Sequence, residues 1–288
     1  MPYRVTSFFL SSTSSDINVD ICIPKFWEIR LNEQILFKTF PSPDDIKCEL
    51  FFKKTTTRDP TGRFVVSLPF RNSKPDLGDT YPQAYRLFLL LEKRLIKFPT
   101  LYAAYSNFMR EYCDMGHMSV APSSSRFSPK PTCFLPYHCV LKPESVSTKL
   151  RVVWDGSAKG PTGISLNDTL LPGPKLQKDI TSLLLTFRLD PIVFIADIKQ
   201  MFRQILVSPS DRDFQKILWR LSPDEPLLEY TLNTVTFRLS CSPYLAMRTI
   251  QELALIEQAN FPKASQVLLN QIYIDDVLGS SSSIQAAL

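Results

Sequence analysis

Two adjacent carboxylates near the end of the chain constrain its fold more than any other feature. Asp275 and Asp276 interrupt an otherwise apolar run, QIYIDDVLGS, at residues 271–280. Burying an unpaired carboxylate costs several kcal/mol, so either an exposed hairpin turn carries the pair or a positive group meets it. The apolar residues 267–274 predict a strand that enters this turn, and the residues after Asp276 predict the strand that leaves it.

A third carboxylate ends another predicted strand. Asp197 closes the apolar segment PIVFIAD at residues 191–197. If this strand lies beside the hairpin in one sheet, the three carboxylates converge at one edge and repel one another unless cations neutralise them. Mg²⁺ prefers oxygen ligands and usually combines one or two protein carboxylates with substrate phosphates. The three acids together favour a magnesium site, whereas IDD taken alone is more typical of an exposed turn.

The composition indicates a globular protein. Of the 288 residues, 44% are hydrophobic and 21% are charged, which suits one large domain or two small ones. The N-terminal apolar patch SFFL is shorter than the core of a signal peptide, about 7–15 residues, and no apolar run approaches the roughly 18 residues of a membrane span. We therefore expect an intracellular protein. The 6 scattered cysteines predict free thiols rather than a disulfide framework.

The net charge of +5 is unevenly distributed. Between residues 126 and 154 a single acid, Glu144, stands against the basic residues Arg126, Lys130, Lys142, Lys149 and Arg151. Such a cluster either binds phosphates or forms a solvated charged surface, and charge alone favours the solvated surface.

The sequence divides into four segments. Residues 1–25 are rich in Ser and Thr and are expected to be poorly ordered, and residues 26–120 predict a mixed, mostly helical segment. The Pro- and Ser-rich run APSSSRFSPKPT at 121–132 predicts a linker. In residues 133–288 predicted strands and helices alternate. That order predicts an α+β fold of the split β-α-β kind, with helices on one face of a mixed sheet.

Apolar spacing and proline positions predict three helices in particular. Pro82 opens the first, Pro99 ends it, and its apolar face comprises Leu87, Leu90, Leu91, Leu95 and Phe98. A second helix is predicted from Leu101 to Cys113. A third begins with Ser242 as its N-cap and Pro243 at the first helical position.

Several motifs together resemble those of reverse transcriptases. YIDD at 273–276 resembles their Y-x-D-D signature, and FIADIKQMFRQILV at 194–207 resembles their first metal-binding motif. KLRVVWDGSAKGPTGISLNDTLLPGPKL at 149–176 resembles their fingers motif. The residues within these motifs are most similar to those of the Bel/Pao class of LTR retrotransposons, and the resemblance covers most of residues 26–288. The resemblance implies the fingers, from about 126 to 195, and the palm of an RNA-directed DNA polymerase.

The resemblance also implies the roles of individual residues. The catalytic carboxylates would be Asp197, Asp275 and Asp276, which with the carbonyl oxygen of Ile198 would bind two Mg²⁺ or Mn²⁺ ions. Phe202 would be the ring that excludes a 2′-hydroxyl from the nucleotide pocket. The other implied nucleotide-binding residues are Lys142, Arg151, Phe237, Arg238 and Ile274. The implied template and primer residues are Asp155 and Tyr273.

The sequence departs from the family in two respects. Arg238 stands where the family usually has a glycine, and the chain ends at Leu288, twelve residues after Asp276. We therefore expect a polymerase region without thumb, RNase H or integrase, which is inactive by itself. The expected partners are an RNA/DNA template–primer, deoxynucleoside triphosphates and the rest of the polyprotein, in a cytoplasmic virus-like particle.

Two alternatives remain open from the sequence. The first is a catalytically inactive remnant that at most binds nucleic acid. The second is a nucleotidyl cyclase, or another polymerase, built on the same kind of palm. Lys142 and Arg151, which precede Asp197 in a fingers-like motif, argue against a cyclase.

Overall fold

The computed structural model of the protein describes residues 41–122, 131–141 and 150–287. The N-terminal segment 1–25, most of the predicted linker and Lys142 lie outside these ranges. No helix in the described ranges is long and apolar enough to cross a membrane.

Helices and short strands alternate along the described chain. The helices are α1 (Pro43–Thr55), α2 (Tyr81–Lys97), α3 (Pro99–Asp114), α4 (Leu166–Thr169), α5 (Ile180–Thr186), α6 (Ser242–Ile256), α7 (Pro262–Asn270) and α8 (Ile284–Ala287). Two 3₁₀ helices span Met201–Gln204 and Arg212–Phe214. The strands are β1 (Thr57–Arg58), β2 (Phe64–Val66), β3 (Met118–Val120), β4 (Tyr137–Leu141), β5 (Leu150–Trp154), β6 (Ile192–Asp197), β7 (Leu206–Val207), β8 (Lys216–Trp219), β9 (Leu228–Leu232), β10 (Ile272–Tyr273) and β11 (Asp276–Ser281).

The strands form four small sheets, so the predicted α+β class is confirmed. Three sheets have three strands each, in the orders β1-β2-β7, β3-β9-β8 and β10-β11-β6, and β4 pairs with β5 alone. Strand β3 precedes the 121–132 segment, yet it pairs with β9, which follows it. The chain from Ser42 onward therefore packs as one compact unit, with a core shared by residues on both sides of that segment.

Aromatic side chains join the helices to the sheets in this core. Tyr105 of α3 is fully buried and stacks on Trp219 of β8, with ring centroids 5.4 Å apart. Tyr137 of β4 and Trp154 of β5 face each other in register, with centroids 5.1 Å apart. The two strands pair along their whole length, from Tyr137 opposite Trp154 to Leu141 opposite Leu150.

Helix α2 is where it was predicted, but its buried face is different. Leu91 and Leu95 are buried as expected, whereas Leu90 is 59% exposed and Phe88 takes its place in the core. The physical reason is that Ala84, Phe88, Leu91 and Leu95, spaced three and four residues apart, form the buried apolar face. Glu92 beside this face is also buried, and it accepts from the guanidinium of Arg220 at 2.7 and 2.8 Å.

Two predictions near the C-terminal hairpin are wrong in detail. Residues 267–270 belong to helix α7 and only Ile272–Tyr273 form the entering strand, because Pro262 starts a helix that includes the apolar run. Short apolar runs do not distinguish a strand from a buried helix. Ser242 is not an N-cap, since it is the first residue of α6 and its hydroxyl donates to the carbonyl oxygen of Thr236 at 2.6 Å.

The β10-β11-β6 sheet has one closed face and one open face. Ile272 and Val277 are buried on the closed face, where Gly279 lies opposite Phe194 in register. A Cβ atom at Gly279 would overlap the Phe194 ring. On the open face Ile195 is 68% exposed, so β6 is apolar without being buried.

We expect Gly279→Ala to lower the free energy of unfolding by about 1–3 kcal/mol, because the added methyl group displaces the Phe194 ring. Urea denaturation measures this change, with Ser281→Ala as the control on the same strand. Adding Phe194→Leu to Gly279→Ala should recover part of the loss through coupling between the two sites. Equal stability of Gly279→Ala and the parent would contradict the close packing of this face.

Candidate active site

Strand register brings two of the predicted carboxylates directly opposite each other. In the antiparallel pairing of β6 with β11, Asp197 is the partner of Asp276. The backbone N–H of Ile198 donates to the carbonyl oxygen of Asp275 at 2.8 Å, which makes residues 198 and 275 the hydrogen-bonded pair. Asp197 and Asp276 therefore form the adjacent non-hydrogen-bonded pair, in which Cα atoms are about 4.5 Å apart and side chains approach most closely.

No positive group in the described ranges neutralises these acids. Asp197, Asp275 and Asp276 are all exposed, and none of their carboxylates takes part in an ion pair or side-chain hydrogen bond within the described chain. Like charges directly opposite in a sheet are destabilising. Repulsion between the Asp197 and Asp276 carboxylates therefore lowers the stability of the fold unless a cation binds between them.

The turn between β10 and β11 is strained. Tyr273 pairs with Asp276, so only Ile274 and Asp275 form the turn. Ile274 has a φ of +59°, in the left-handed region that β-branched residues rarely occupy. Such strain persists only where the surrounding structure enforces it, and it clusters at functional sites.

A second strained turn follows Asp197 and carries Phe202. Gln200 has a φ of +55° and begins the 3₁₀ turn Met201–Gln204. The half-buried Phe202 ring meets Phe237 edge to face, with centroids 5.3 Å apart. The two predicted pocket aromatics are thus in contact with each other.

The third strained residue is Arg238, which has a φ of +78°. Glycine adopts this conformation without steric cost, whereas an arginine with this φ is strained. Asn167 holds this turn by donating to the carbonyl oxygen of Arg238 at 3.1 Å and accepting from Ser240 N at 2.8 Å. The Arg238 side chain is exposed.

Four other predicted residues have ordinary local environments. Arg151 is exposed on β5 opposite Val140, and Asp155 accepts from Ser157 N at 3.0 Å within its own loop. Tyr273 is half-buried beside Asp276. The carbonyl oxygen of Ile198 accepts from Met201 N at 3.1 Å, so one of its lone pairs is already engaged.

The donor chemistry suits a hard cation. Within the residues that the structure describes, no three His, Cys, Asp or Glu side chains are gathered closely enough to hold a metal ion. The register instead sets a pair of carboxylates opposite each other, Asp197 and Asp276. Mg²⁺ usually takes one or two protein carboxylates and completes its shell with phosphate oxygens and water, so the unneutralised pair fits it.

Sequence reasoning missed three residues that stabilise the turns at Gln200 and at Arg238. They are Asn167, Gln200 and His117, whose Nε2 lies 3.4 Å from Gln200 Oε1. Asn167 lies within the predicted fingers motif at 149–176, but no local pattern indicates that its amide reaches a turn 71 residues away. His117 precedes the site by more than 80 residues, and its burial could not be inferred from spacing.

A scan against models of known protein families finds no match for this chain, and a search of curated proteins finds none either. Function is therefore inferred from the residues, their geometry and the motifs they form.

We expect both Ile274→Asn and Ile195→Asn to lower the free energy of unfolding, measured by urea denaturation. The loss should be at least about 1 kcal/mol smaller for Ile274→Asn. Asn adopts the left-handed conformation at a lower cost than a β-branched residue, for which that cost is roughly 1–2 kcal/mol. Ile195 is extended and more exposed than Ile274, so burial alone predicts the opposite order. An equal or larger loss at Ile274 would show that its backbone is unstrained.

Proposed function

We propose that this chain is the fingers-and-palm region of an RNA-directed DNA polymerase of the Bel/Pao retrotransposon class. One observation carries the proposal. Asp197 and Asp276 face each other, with no partner for either carboxylate among the described residues, and Asp275 lies beside them on a strained turn. The sequence motifs that resemble reverse transcriptases supply the same three acids. A sheet that accepts this repulsion and this strain is suited to binding divalent cations with a polyanionic substrate.

The proposed reaction adds a deoxynucleotide to the 3′-hydroxyl of a primer paired with an RNA template. Asp197 and Asp276 would hold Mg²⁺, and Asp275, on the adjacent turn, would join them in a two-ion site only after the turn rearranges. When bound, such ions would activate the attacking hydroxyl and stabilise the pyrophosphate leaving group. Lys142 and Arg151 would bind the triphosphate, since a guanidinium fork suits phosphate oxygens. Aligning the primer within about 3–3.5 Å of the α-phosphate would require further contacts to the duplex.

Phe202 and Phe237 would shape the sugar site. Their edge-to-face contact holds the Phe202 ring in one orientation beside the strand that ends in Asp197. In the proposed function this ring lies under the deoxyribose and excludes a 2′-hydroxyl by overlap. Its selectivity therefore depends on where the backbone of the turn holds it.

The second candidate function is an inactive remnant that binds nucleic acid. Arg238 favours it, because an arginine in a left-handed conformation replaces the flexible glycine that the family uses at the pocket. The two candidates differ in whether the acids bind a divalent cation together with a nucleotide.

We expect the double substitution Asp275→Asn and Asp276→Asn to weaken Mn²⁺ binding in the presence of dGTP by at least about tenfold. Electron paramagnetic resonance measures free Mn²⁺, with and without dGTP. The apo protein should be as stable as the parent or more stable by up to about 0.5 kcal/mol, because repulsion with Asp197 is relieved.

The matched control is Asp224→Asn, which removes an exposed carboxylate in a loop between β8 and β9. It should leave Mn²⁺ binding unchanged. Mn²⁺ binding by the double variant at the parental affinity would overturn the carboxylate assignment. Mn²⁺ binding by the parent that dGTP does not strengthen would favour the inactive remnant.

We expect Phe202→Val to reduce the preference for dGTP over GTP by at least about tenfold, because the ring that overlaps the 2′-hydroxyl is gone. Calorimetric binding of the two nucleotides with Mn²⁺ measures this preference without requiring primer extension. Phe261→Val, at an aromatic that is 61% exposed, is the control. Unchanged selectivity in Phe202→Val would show that Phe202 serves only packing.

A further inference from the structure

Residues far earlier in the chain contact the turn that carries Phe202. It begins with the left-handed Gln200 and continues through the 3₁₀ turn Met201–Gln204. Within the turn, Arg203 N donates to the carbonyl oxygen of Gln200 at 2.8 Å, Ile205 N donates to that of Phe202 at 3.3 Å, and Gln204 Nε2 donates to that of Lys199 at 3.2 Å. Because this turn is short and contains a strained residue, its conformation depends on contacts from other elements.

Arg203, the residue next to Phe202, forms the first of these contacts, with helix α3. Its guanidinium carbon lies 4.9 Å from the ring centroid of Tyr112 and 5.5 Å from that of Phe108, both on α3. No described acid forms an ion pair with Arg203. Among the described residues, the Arg203 cation is therefore held against the two aromatic rings of α3.

Arg63 forms the second contact, from the residue before β2. Its guanidinium donates to the carbonyl oxygen of Arg203 at 2.7 Å and to that of Gln204 at 3.1 Å. Charged donors to backbone carbonyls make stronger hydrogen bonds than neutral ones. The C-terminal end of the turn is thereby tied to the β1-β2 hairpin.

His117 forms the third contact. It follows α3 and is only 5% exposed, with Nε2 3.4 Å from Gln200 Oε1. Its backbone carbonyl accepts from Asn233 N at 2.8 Å, which fixes its position. Burial, and then the nearby Arg203 guanidinium, lowers the pKa of His117 below its usual range, so the imidazole is neutral at pH 7. A neutral ring can donate from Nε2 to the Gln200 amide oxygen.

We propose that Arg203 and His117 are positioning residues for Phe202, and that helix α3 thereby sets the selectivity of the pocket for deoxyribonucleoside over ribonucleoside triphosphates. This inference rests on the proposed function. It makes residues 99–117, which precede the polymerase-like motifs, part of the nucleotide pocket. A small rotation of the turn would move the Phe202 ring relative to Phe237 and open space for a 2′-hydroxyl.

The test compares Arg203→Met with the parent. Methionine keeps an unbranched apolar stem but removes the cation over Tyr112 and Phe108. We expect the calorimetric preference for dGTP over GTP, with Mn²⁺, to fall by at least about threefold, as contacting residues are commonly coupled to this extent. Arg203→Lys retains a cation and should restore part of the preference. Combined with Phe202→Val, Arg203→Met should cause no further fall, because the ring that it positions is absent.

The matched control is Arg220→Met. Arg220 also lies over an aromatic ring, with its guanidinium carbon 6.0 Å from the centroid of Phe88, and it is paired with Glu92 rather than with the turn. Its loss should lower stability and leave the nucleotide preference unchanged. His117→Leu is the second test variant, and it should reduce the preference in the same direction as Arg203→Met.

The outcomes separate this inference from the proposed function. If Phe202→Val shifts the preference while folded Arg203→Met and His117→Leu do not, the positioning role is wrong and the proposed function stands. A further fall when Arg203→Met is added to Phe202→Val would also overturn the positioning role. If the parent binds neither nucleotide with Mn²⁺, the proposed function itself fails.

Discussion

The antiparallel pairing of β6 with β11 is the constraint on which the candidate site depends. Because Ile198 and Asp275 form the hydrogen-bonded pair, Asp197 and Asp276 become the close pair with facing carboxylates. A shift of one residue in this register would move Asp276 to the closed face of the sheet, where Val277 is buried. The apolar face and the acidic edge are therefore consequences of the same register, and the packing of Gly279 against Phe194 helps to maintain it.

Backbone strain in the described chain is concentrated in a few residues. Three residues other than glycine have positive φ values in the described chain, Gln200, Arg238 and Ile274, and each lies in a turn that bears a predicted site residue. Ordinary turns would use glycine or asparagine at such positions. Each of these three turns therefore keeps its conformation only because the surrounding structure enforces it.

The N-terminal half of the described chain contributes to this geometry. Strand β3 pairs with β9, and α3 places Phe108 and Tyr112 against Arg203. The segment before the polymerase-like motifs is thus structurally continuous with them. It contacts the turn that carries Phe202 through α3. Asp197 and Asp276 lie on the open face of the β10-β11-β6 sheet, where they are exposed.

The sequence by itself determined the α+β class and the helices around residues 82–113. These follow from apolar periodicity, proline positions and short motifs, which are local properties of the chain. The tertiary structure alone decided that Glu92 is buried, that residues 267–270 are helical, and that His117 and Asn167 reach turns more than 70 residues away. These outcomes depend on ion pairs, burial and hydrogen bonds between distant segments, and no local pattern of residue types encodes which segments meet.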